Sequence, residues 1–244
     1  MNKNIVITAV VLSLGFVIGI AIFANAFKNR NSGDNTISVT GLGSKTFTSD
    51  LITWNGSFSE TDFDLKKAYD QLASDRNTIE EYLISKGIAK EQIIFSAVNT
   101  YKNYNYNTDE YGRSRQTFAG YELSQSVSIE SKEVEKIEAL SRNITEIINR
   151  GIEFTSSPPN YFYTKLSEVK HEMIAEATKD AKLRAQKIAE NSGAKLGKLK
   201  NARTGIIQIT APNSDEDYSY GGTYNTSSKE KEASITIKLE YMVD

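Results

Sequence analysis

The sequence has 244 residues, of which 25% are charged, and a formal net charge of −2. A chain of this length has enough apolar material for one large domain or two small ones. Its nearly balanced charge gives no overall field of the kind that attracts nucleic acid, so nucleic acid is not an expected partner. Cysteine is absent, which excludes disulfides, thiolate metal sites, a cysteine nucleophile and a lipid-modified cysteine.

The N-terminal segment is long, apolar and free of charge. Residues 5–27 read IVITAVVLSLGFVIGIAIFANAF and stand between Lys3 and Lys28. As a helix rising about 1.5 Å per residue, this run could cross a hydrocarbon core about 30 Å thick. A buried helix of a soluble domain is a poor match, because such helices rarely lack a polar face. Residues 5–27 are therefore expected to contact a membrane.

Two fates of this segment remain open. The apolar run is longer than the central region of a typical signal peptide, which favours a retained inner-membrane anchor, but Ala24-Asn25-Ala26 has the small-x-small form of a cleavage site. Either way, residues 1–28 are expected to direct export to the periplasm or cell envelope. Residues 29–36 are polar and predict a linker.

After residue 36 the sequence alternates between strand and helix patterns. Ile37 begins a short first strand, and the period of two from Ile52 to Phe58 predicts a second. Thr61-x-x-Asp64 resembles a capping box, which predicts a helix behind it that ends at Gly87, and Ile93 begins a third strand. The apolar stripe predicted for this helix consists of Leu65, Tyr69, Leu72, Ile79 and Leu83.

The pattern continues after a polar segment at residues 101–117. Alternating apolar residues predict a fourth strand from Tyr121 to Ile129. A second helix carries an apolar stripe from Val134 to Ile148 and stops at Gly151. Residues 152–163 predict a fifth strand, placed at a sheet edge because two prolines interrupt it.

The predicted fold class is α+β, in two layers, preceded by an N-terminal transmembrane helix. Residues 45–163 read β-α-β-β-α-β, the order of a ferredoxin-like sandwich. A second small subdomain would combine the first strand, residues 37–44, with residues 164–243, which predict a long helix and two C-terminal strands. Together these form one domain spanning residues 37–243.

The long helix near residues 167–191 has a narrow face of small side chains. Ala177, Ala181 and Ala185 stand four residues apart, which lets a backbone approach its partner closely. Between residues 165 and 200 nine basic residues stand against five acidic ones, too small a surplus for a nucleic-acid helix. The helix is therefore expected to be a packing element. The predicted apolar face is completed by Ile174 and Ile188.

Two glycines after this helix have predicted structural roles. Gly193 suits the left-handed residue that closes a helix. Gly197, four residues later, could relieve crowding where the next strand begins. Both roles concern packing.

The sequence resembles the SIMPL domain family, a bacterial periplasmic and cell-envelope family of unknown function related to the periplasmic immunogenic proteins. The resemblance is strongest in the long helix and the turn after it, and it extends over roughly residues 37–243. Ser49-Asp50 differs slightly from the Pro-Asp that the family usually has at that turn. The residues matching the family signature are Asp50, Gly87, Gly120, Tyr121, Asp180, Ala181, Ala185, Gly193 and Gly197.

The resemblance implies an exported protein linked to tolerance of oxidative stress. Some members of the family assemble into ring- or channel-like homo-oligomers, so a homo-oligomer is expected here. The family has no established catalytic residues to transfer, and the resemblance therefore assigns neither a reaction nor a cofactor.

The residues themselves also give little sign of catalysis. His171 is the single histidine. No second histidine could serve as the base of a Ser-His-Asp triad in its place, and a metal site with several histidines is excluded. Asp215, Glu216 and Asp217 form at best a weak oxygen cluster, and no glycine-rich phosphate-binding motif is present. We expect no enzyme activity, no cofactor and no metal.

Tyrosines are concentrated in two polar segments, residues 101–117 and 211–228. Tyrosine and asparagine together offer large contact area with adaptable hydrogen bonding, so these segments are candidate loops for binding a small molecule or glycan. The competing interpretation is that they are disordered hairpin tips. The candidate residues are Tyr101, Tyr104, Tyr106, Tyr111, Tyr218, Tyr220 and Tyr224.

Overall fold

The computed structural model of the protein describes residues 3–29, 35–108, 112, 114–217 and 219–243, with the side chains of the first helix described from residue 11 to 27. Most of the predicted linker, together with Tyr111 and Tyr218, lies outside the described residues. Within them the protein is α+β, with two antiparallel sheets and four α-helices. The helices are α1 (Lys3–Asn29), α2 (Leu65–Ser85), α3 (Val134–Asn143) and α4 (Leu166–Ser192).

Ten strands make up the two sheets. Two short 3₁₀ segments, Lys90–Gln92 and Ile144–Arg150, lie between the regular elements. The strands are β1 (Thr36–Thr48), β2 (Leu51–Asp62), β3 (Ile93–Phe95), β4 (Asn99–Thr108), β5 (Ser114–Ser131), β6 (Phe154–Ser156), β7 (Asn160–Phe162), β8 (Leu196–Thr204), β9 (Gln208–Thr210) and β10 (Glu230–Val243).

The first sheet has the strand order β3-β5-β2-β6, and β4 and β7 extend it on β5 and β2. Apart from the additional strand β4 and the division of the last strand into β6 and β7, the chain follows the β-α-β-β-α-β order expected from the sequence. The core includes Trp54, which is fully buried and donates its indole N–H to Ser156 Oγ at 3.0 Å. Its polar atom is thereby satisfied inside an apolar layer.

Helix α2 follows the predicted segment, but Asp64 is its N-cap, whereas the predicted capping box would make Thr61 the cap and Asp64 its third helical residue. The helix also buries a different face. The Asp64 carboxylate caps it by accepting the N–H groups of Lys66 and Lys67. Leu65 and Tyr69, which the predicted stripe included, are exposed. The stripe was wrong at this end because it followed the largest apolar side chains, whereas the positions nearest the sheet include a small one. The buried residues of α2 are Ala68, Leu72, Asp75, Ile79, Tyr82 and Leu83.

The second sheet has the order β1-β10-β8, with β9 also paired to β10. Strand β1 pairs with β10 along its whole length, from Thr36 opposite Met242 to Thr48 opposite Glu230. Lys45–Thr48 therefore belong to the second sheet, although the sequence assigned them to the ferredoxin-like unit. The alternation was obscured because glycine, serine and threonine fill most of β1.

The two sheets are joined at the corner between β1 and β2. There the Ser49 N–H donates to Lys229 O at 2.9 Å, and the Asp50 N–H donates to Phe162 O at 3.0 Å. The corner thus contacts the end of β7 and the start of β10. Each sheet keeps its own apolar core on one side of this connection.

Helix α4 packs on β1 and β10 through the predicted alanines. Ala177, Ala181 and Ala185 are fully buried. Ile174 and Ile188 are 37% and 48% exposed, so their predicted place on the buried face is wrong. The buried set is completed by Val169, Met173 and Ala189.

Gly41 and Gly43 on β1 let α4 approach the strand closely. A Cβ atom on Gly41 would lie 2.1 Å from Ala177 O and 2.5 Å from Ala181 N. A Cβ atom on Gly43 would lie 2.3 Å from Met173 O. The helix backbone therefore rests directly on the strand backbone, which is the packing that the alanine spacing predicts.

Helix α1 exposes every described side chain from Val11 to Phe27. In the described part of the chain, no helix has the length and hydropathy that a membrane span requires. The predicted transmembrane helix stays a prediction.

Candidate functional site

The family-signature residues of α4 close the outer edge of β1. The Leu42 N–H donates to Asp180 Oδ2 at 2.9 Å, and Arg184 donates to Thr40 O at 3.2 Å. Arg184 also forms an ion pair with Asp180 at 2.9 Å. The Leu42 N–H and, after it, Arg184 hold the pKa of Asp180 below its ordinary value. These two side chains satisfy edge groups that would otherwise be open to another strand.

A second signature residue, Asp50, ties the corner between the sheets to the segment before α4. Its carboxylate accepts the N–H and the hydroxyl of Thr164, both at 2.7 Å. One side chain thus satisfies two donors just before the helix begins. Its role is to position the helix.

The remaining signature residues lie at turns and close contacts. Gly120 has φ +120° and follows the register shift between β4 and β5, where a Cβ would lie 3.1 Å from Asp62 O. Gly87 and Gly193 follow α2 and α4 in left-handed conformations, as the sequence predicted for helix ends. Gly197 faces Met242 O, which a Cβ would approach to 2.9 Å. None of these contacts forms part of a cleft with Asp180.

The first tyrosine segment is an extended hairpin. Ser114 to Gly120 of β5 pair only with β4, because β2 ends at Asp62, opposite Tyr121. We call Tyr104–Thr108 and Ser114–Gly120 the aromatic arm. The described residues of this segment are mostly strand, so the prediction of a loop was wrong for them. Residues 109–111 and 113, between the two strands, lie outside the described residues, so the interpretation as a disordered tip stays a prediction.

Aromatic side chains pack at the base of this arm. The Phe118 ring lies 5.8 Å from Tyr104, 5.1 Å from Tyr121 and 6.1 Å from Phe63, measured between centroids. Tyr106 is 70% exposed, and its hydroxyl accepts a hydrogen bond from Gln116 at 3.2 Å. A partly exposed aromatic surface therefore leads from the end of β2 onto the arm. Tyr101, in the part of β4 beside the main sheet, is also exposed.

The second tyrosine segment is folded back on the protein. Gln208 is buried; its side-chain oxygen accepts the Thr223 N–H at 2.8 Å, and its side-chain nitrogen donates to Ser219 O at 2.8 Å. Tyr224 stacks on Phe162 at 6.4 Å, while Tyr220 is fully exposed. The described part of this segment therefore contacts the rest of the domain, while Tyr218 lies outside the described residues, so the interpretation as a disordered tip stays a prediction.

The two groups of tyrosines lie at opposite ends of β2. Tyr121, at the base of the arm, pairs with Asp62 at one end, and Phe162, which contacts Tyr224, pairs with Leu51 at the other. At about 3.3 Å per residue, the two ends are about 36 Å apart. The two segments therefore cannot line one binding site.

Lys231 is a buried lysine whose burial was not predicted from the sequence. It is fully buried, and its ammonium donates to Asn225 O at 2.5 Å and Ser228 O at 2.7 Å. Burial lowers its pKa to about 8. Its position continues the inward alternation of Ala233 and Ile235, so a lysine at an inward strand position was the available signal.

A pair of carboxyl groups between β2 and α2 was also missed. Asp75 is 5% exposed; its Oδ1 accepts from Gln71 at 3.1 Å, and its Oδ2 has no partner among the described atoms. Burial, the adjacent Asp75 carboxylate, to which a protonated Glu60 can donate, and the nearby charge of Glu153 raise the pKa of Glu60 to about 7. Glu60 continues the inward positions of β2, which was the signal for this site.

The residues considered for catalysis or metal binding do not converge. His171 is exposed on α4. Glu216 turns toward Asn225, whose amide donates to it, while its neighbours Asp215 and Asp217 are exposed. Among the described residues, no group of three or more potential ligands is close enough to hold a metal ion.

An apolar groove of about 460 Å³ lies beside Tyr224, between α4 and the segment that follows β8. Ile174 and Ile206 contribute partly exposed side chains to it, and Lys170 is the charged residue of its lining. The groove accounts for the exposure of Ile174.

The family model SIMPL, described as a protein of unknown function (DUF541), matches residues 37–241. No curated protein matches the chain. The family match covers nearly all of the sequence after the N-terminal apolar segment, and the chain therefore belongs to the SIMPL family.

Proposed function

We propose that the protein is a non-enzymatic component of the cell envelope that assembles with copies of itself and protects the envelope under stress. The family description assigns no function, so the proposal depends on the surfaces that the fold leaves open. Its role in stress, including oxidative stress, follows from the family resemblance.

The aromatic arm is the observation that carries the assembly. A two-stranded ribbon without a third strand or a packed face is at best marginally stable in water. Beyond β2 the arm has no other described strand beside it, yet it presents Tyr106 and the partly exposed Tyr104 and Phe118. A second copy covering this surface would remove it from water and stabilise the ribbon.

A second open surface supports the same proposal. Strand β8 is an edge of the second sheet, and its residues from Lys198 to Thr204 are all exposed. Exposed edges readily accept another strand. The opposite edge differs, because Asp180 and Arg184 occupy part of β1.

The measured mass of the full chain tests the assembly. In neutral detergent we expect light scattering to give a protein mass of two or more copies, and Tyr106→Ser combined with Tyr104→Ser to shift it toward one copy. Tyr69→Ser, at another exposed tyrosine on α2, is the matched control and should leave the mass unchanged. A strict monomer at high concentration contradicts the proposal.

Export and membrane attachment complete the proposal. Residues 5–27 carry no charge, and all the described side chains of α1 are exposed to the surroundings. We propose a retained inner-membrane anchor with the domain in the periplasm, and cleavage after Ala26 as the alternative. Both place the domain outside the cytoplasm.

The alternative function is ligand binding by the aromatic arm. Asn105 and Asn107 alternate with Tyr104 and Tyr106 along β4, so a glycan could stack on the rings and bond to the amides. If Tyr106→Ser abolishes binding in a glycan screen while the mass stays unchanged, the arm is a ligand site. If Tyr106→Ser lowers the measured mass of the assembly and the wild-type chain binds no glycan, the result supports assembly.

The non-enzymatic part has its own test. An activity screen of the full chain against peptidoglycan and envelope polysaccharides should give no turnover. Turnover that survives purification and disappears on substitution of a single carboxylate would contradict it.

A further inference from the structure

The outer face of the second sheet carries a small polar cavity. Its volume is about 310 Å³, close to the lower limit for small-molecule sites. It lies across β1, β10 and β8, on the face opposite α4. The lining consists of Ser38, Asn201, Arg203, Lys238 and Glu240.

The strand register arranges these side chains in two rows. Ser38, Glu240 and Asn201 are successive partners across the three strands. In the next outward-facing row, Lys238 stands directly opposite Arg203. One row thus contains neutral donors around a carboxylate, and the other contains two cations.

The two cations are unpaired in the part of the chain that the structure describes. Neither the Arg203 guanidinium nor the Lys238 ammonium has an ion-pair or hydrogen-bond partner there. Like charges placed directly opposite each other on adjacent strands repel and destabilise the sheet. An anion between them would relieve this repulsion and accept hydrogen bonds from both.

The single acid of the cavity is already engaged. Glu240 accepts the Thr36 hydroxyl at 3.0 Å and lies 3.8 Å from the Lys200 ammonium. Its charge is therefore partly balanced outside the cation pair. The carboxylate is still able to accept from a hydroxyl or ammonium group of a ligand.

We propose that this cavity binds a phosphate ester, with Arg203 and Lys238 holding the phosphate oxygens and Glu240 accepting from a hydroxyl or amino group on the alcohol part. Arginine matches phosphate with parallel N–H donors, and lysine adds a second positive charge. Ser38 and Asn201 supply neutral polar groups at the rim.

Two sources offer this chemistry: a soluble sugar or glycerol phosphate and the headgroup of a membrane phospholipid. The lipid source depends on the membrane anchor proposed above. Ser38 follows the end of α1 by only nine residues, so an anchored chain would keep the cavity within about 30 Å of the bilayer. The phosphate site itself does not depend on the anchor.

Titration calorimetry of the full chain in neutral detergent, with glycerol 3-phosphate as the probe, tests the site. We expect binding that weakens with salt, and a loss of about tenfold or more in affinity for Arg203→Gln. Lys182→Gln removes the same charge from an exposed position on α4 and should leave the affinity unchanged. Thermal melting of Arg203→Gln should show no loss of stability, because the substitution removes a repulsive pair.

Lysine acetylation followed by mass spectrometry locates the bound phosphate. Glycerol 3-phosphate should slow the modification of Lys238 relative to Lys182, and Arg203→Gln should abolish this protection. No binding by the wild-type chain, or equal protection in Arg203→Gln, overturns the proposal.

The same acetylation measurement in nanodiscs separates the two sources. Greater protection of Lys238 on phosphatidylglycerol than on phosphatidylcholine identifies the lipid headgroup. Equal protection on both, together with binding of glycerol 3-phosphate, supports the site for soluble esters. Membrane fractionation tests the proposed anchor, and the measured mass tests self-assembly. A negative result in either is therefore distinguished from a negative result for the phosphate site.

Discussion

At the scale of single residues, the unexpected chemistry lies where a charged side chain occupies an inward position. Glu60 continues the buried positions of β2, and Lys231 continues those of β10. Two carbonyl oxygens reduce the cost of taking Lys231 out of water. Glu60 instead lies beside the Asp75 carboxylate, which favours its protonated form. These sites respond to pH and substitution differently from the apolar core.

The carboxyl pair predicts a pH-dependent stability. The pKa of Glu60 is raised from 4.5 to about 7 in the folded protein, so the folded state binds the proton more tightly than the unfolded state does. The resulting stabilisation is fully present below pH about 4.5 and is lost as the pH rises through about 7. We expect Glu60→Gln, which imitates the protonated form, to stabilise the protein at pH 8 by about 1 kcal/mol after solvent screening.

Thermal melting at pH 5 and pH 8 checks this. Glu60→Gln and wild type should melt alike at pH 5 and separate at pH 8. Glu81→Gln, at an exposed position of α2, should match wild type at both values. A difference of equal size at the two pH values would contradict the raised pKa of Glu60.

Removing the charge of Lys231 should destabilise the protein, whereas removing that of Glu60 should stabilise it. Lys231→Met keeps much of the side-chain length but leaves Asn225 O and Ser228 O without their donor. We expect a loss of about 1–3 kcal/mol in the free energy of unfolding, measured by chemical denaturation at pH 7. Lys179→Met, at an exposed position of α4, should change it by less than about 0.5 kcal/mol.

The sequence could indicate these residues only in part. Period-two alternation marks Glu60 and Lys231 as inward, but their partners come from other segments. Asp75 lies on α2, and the carbonyl oxygens belong to the turn before β10. Tertiary contacts of this kind cannot be derived from local periodicity. By contrast, the helix-closing role of Gly193 depends on its immediate neighbours alone and was predicted correctly.

At the scale of elements, the contact of α4 with β1 combines correct and incorrect prediction. The alanine spacing identified the buried face, but Ile174 and Ile188 were placed on it wrongly. The missing information was Gly41, because a strand without a side chain at that point lets the helix backbone rest on it along the row of alanines. The partner strand lies more than a hundred residues away, so helix periodicity alone could not show it.

The contact between α4 and β1 predicts that the buried alanines of α4 do not tolerate larger side chains. Ala181→Leu adds volume where the helix rests on the strand backbone, and overpacking of this kind costs about 1–3 kcal/mol. Lys182→Ala, on the exposed side of α4, should stay within about 0.5 kcal/mol of wild type. Comparable melting temperatures for the two variants would show that close packing at Ala181 is unimportant.

The aromatic arm shows why composition misled the element prediction. Its asparagines and tyrosines resemble a polar loop, but tyrosine favours strands, and Tyr104 and Tyr106 alternate as strand residues do. Pairing with β5 decides between the two interpretations. The strand is stabilised by its partner more than by its own apolar content.

At the scale of the whole molecule, the first and last strands of the described chain after residue 35 pair with each other. Strand β1, the first after the apolar segment, pairs with β10, the last. The fold class follows from the sequence of local patterns, but this pairing of distant segments determines the length of β1 and the border between the sheets. Gly41 and Gly43 break the apolar alternation that normally marks such a strand.

The last prediction is that the whole domain lies outside the cytoplasm. Flanking charge decides little, because Lys3 on one side opposes Lys28 and Arg30 on the other. The family match begins at residue 37, immediately after the apolar segment, and the resemblance to that family implies export. Protease added to intact spheroplasts should therefore digest the domain. A domain that survives until the membrane is broken has the opposite orientation. A mature N-terminus at Phe27 would replace the anchor by a cleaved signal and leave the predicted export unchanged.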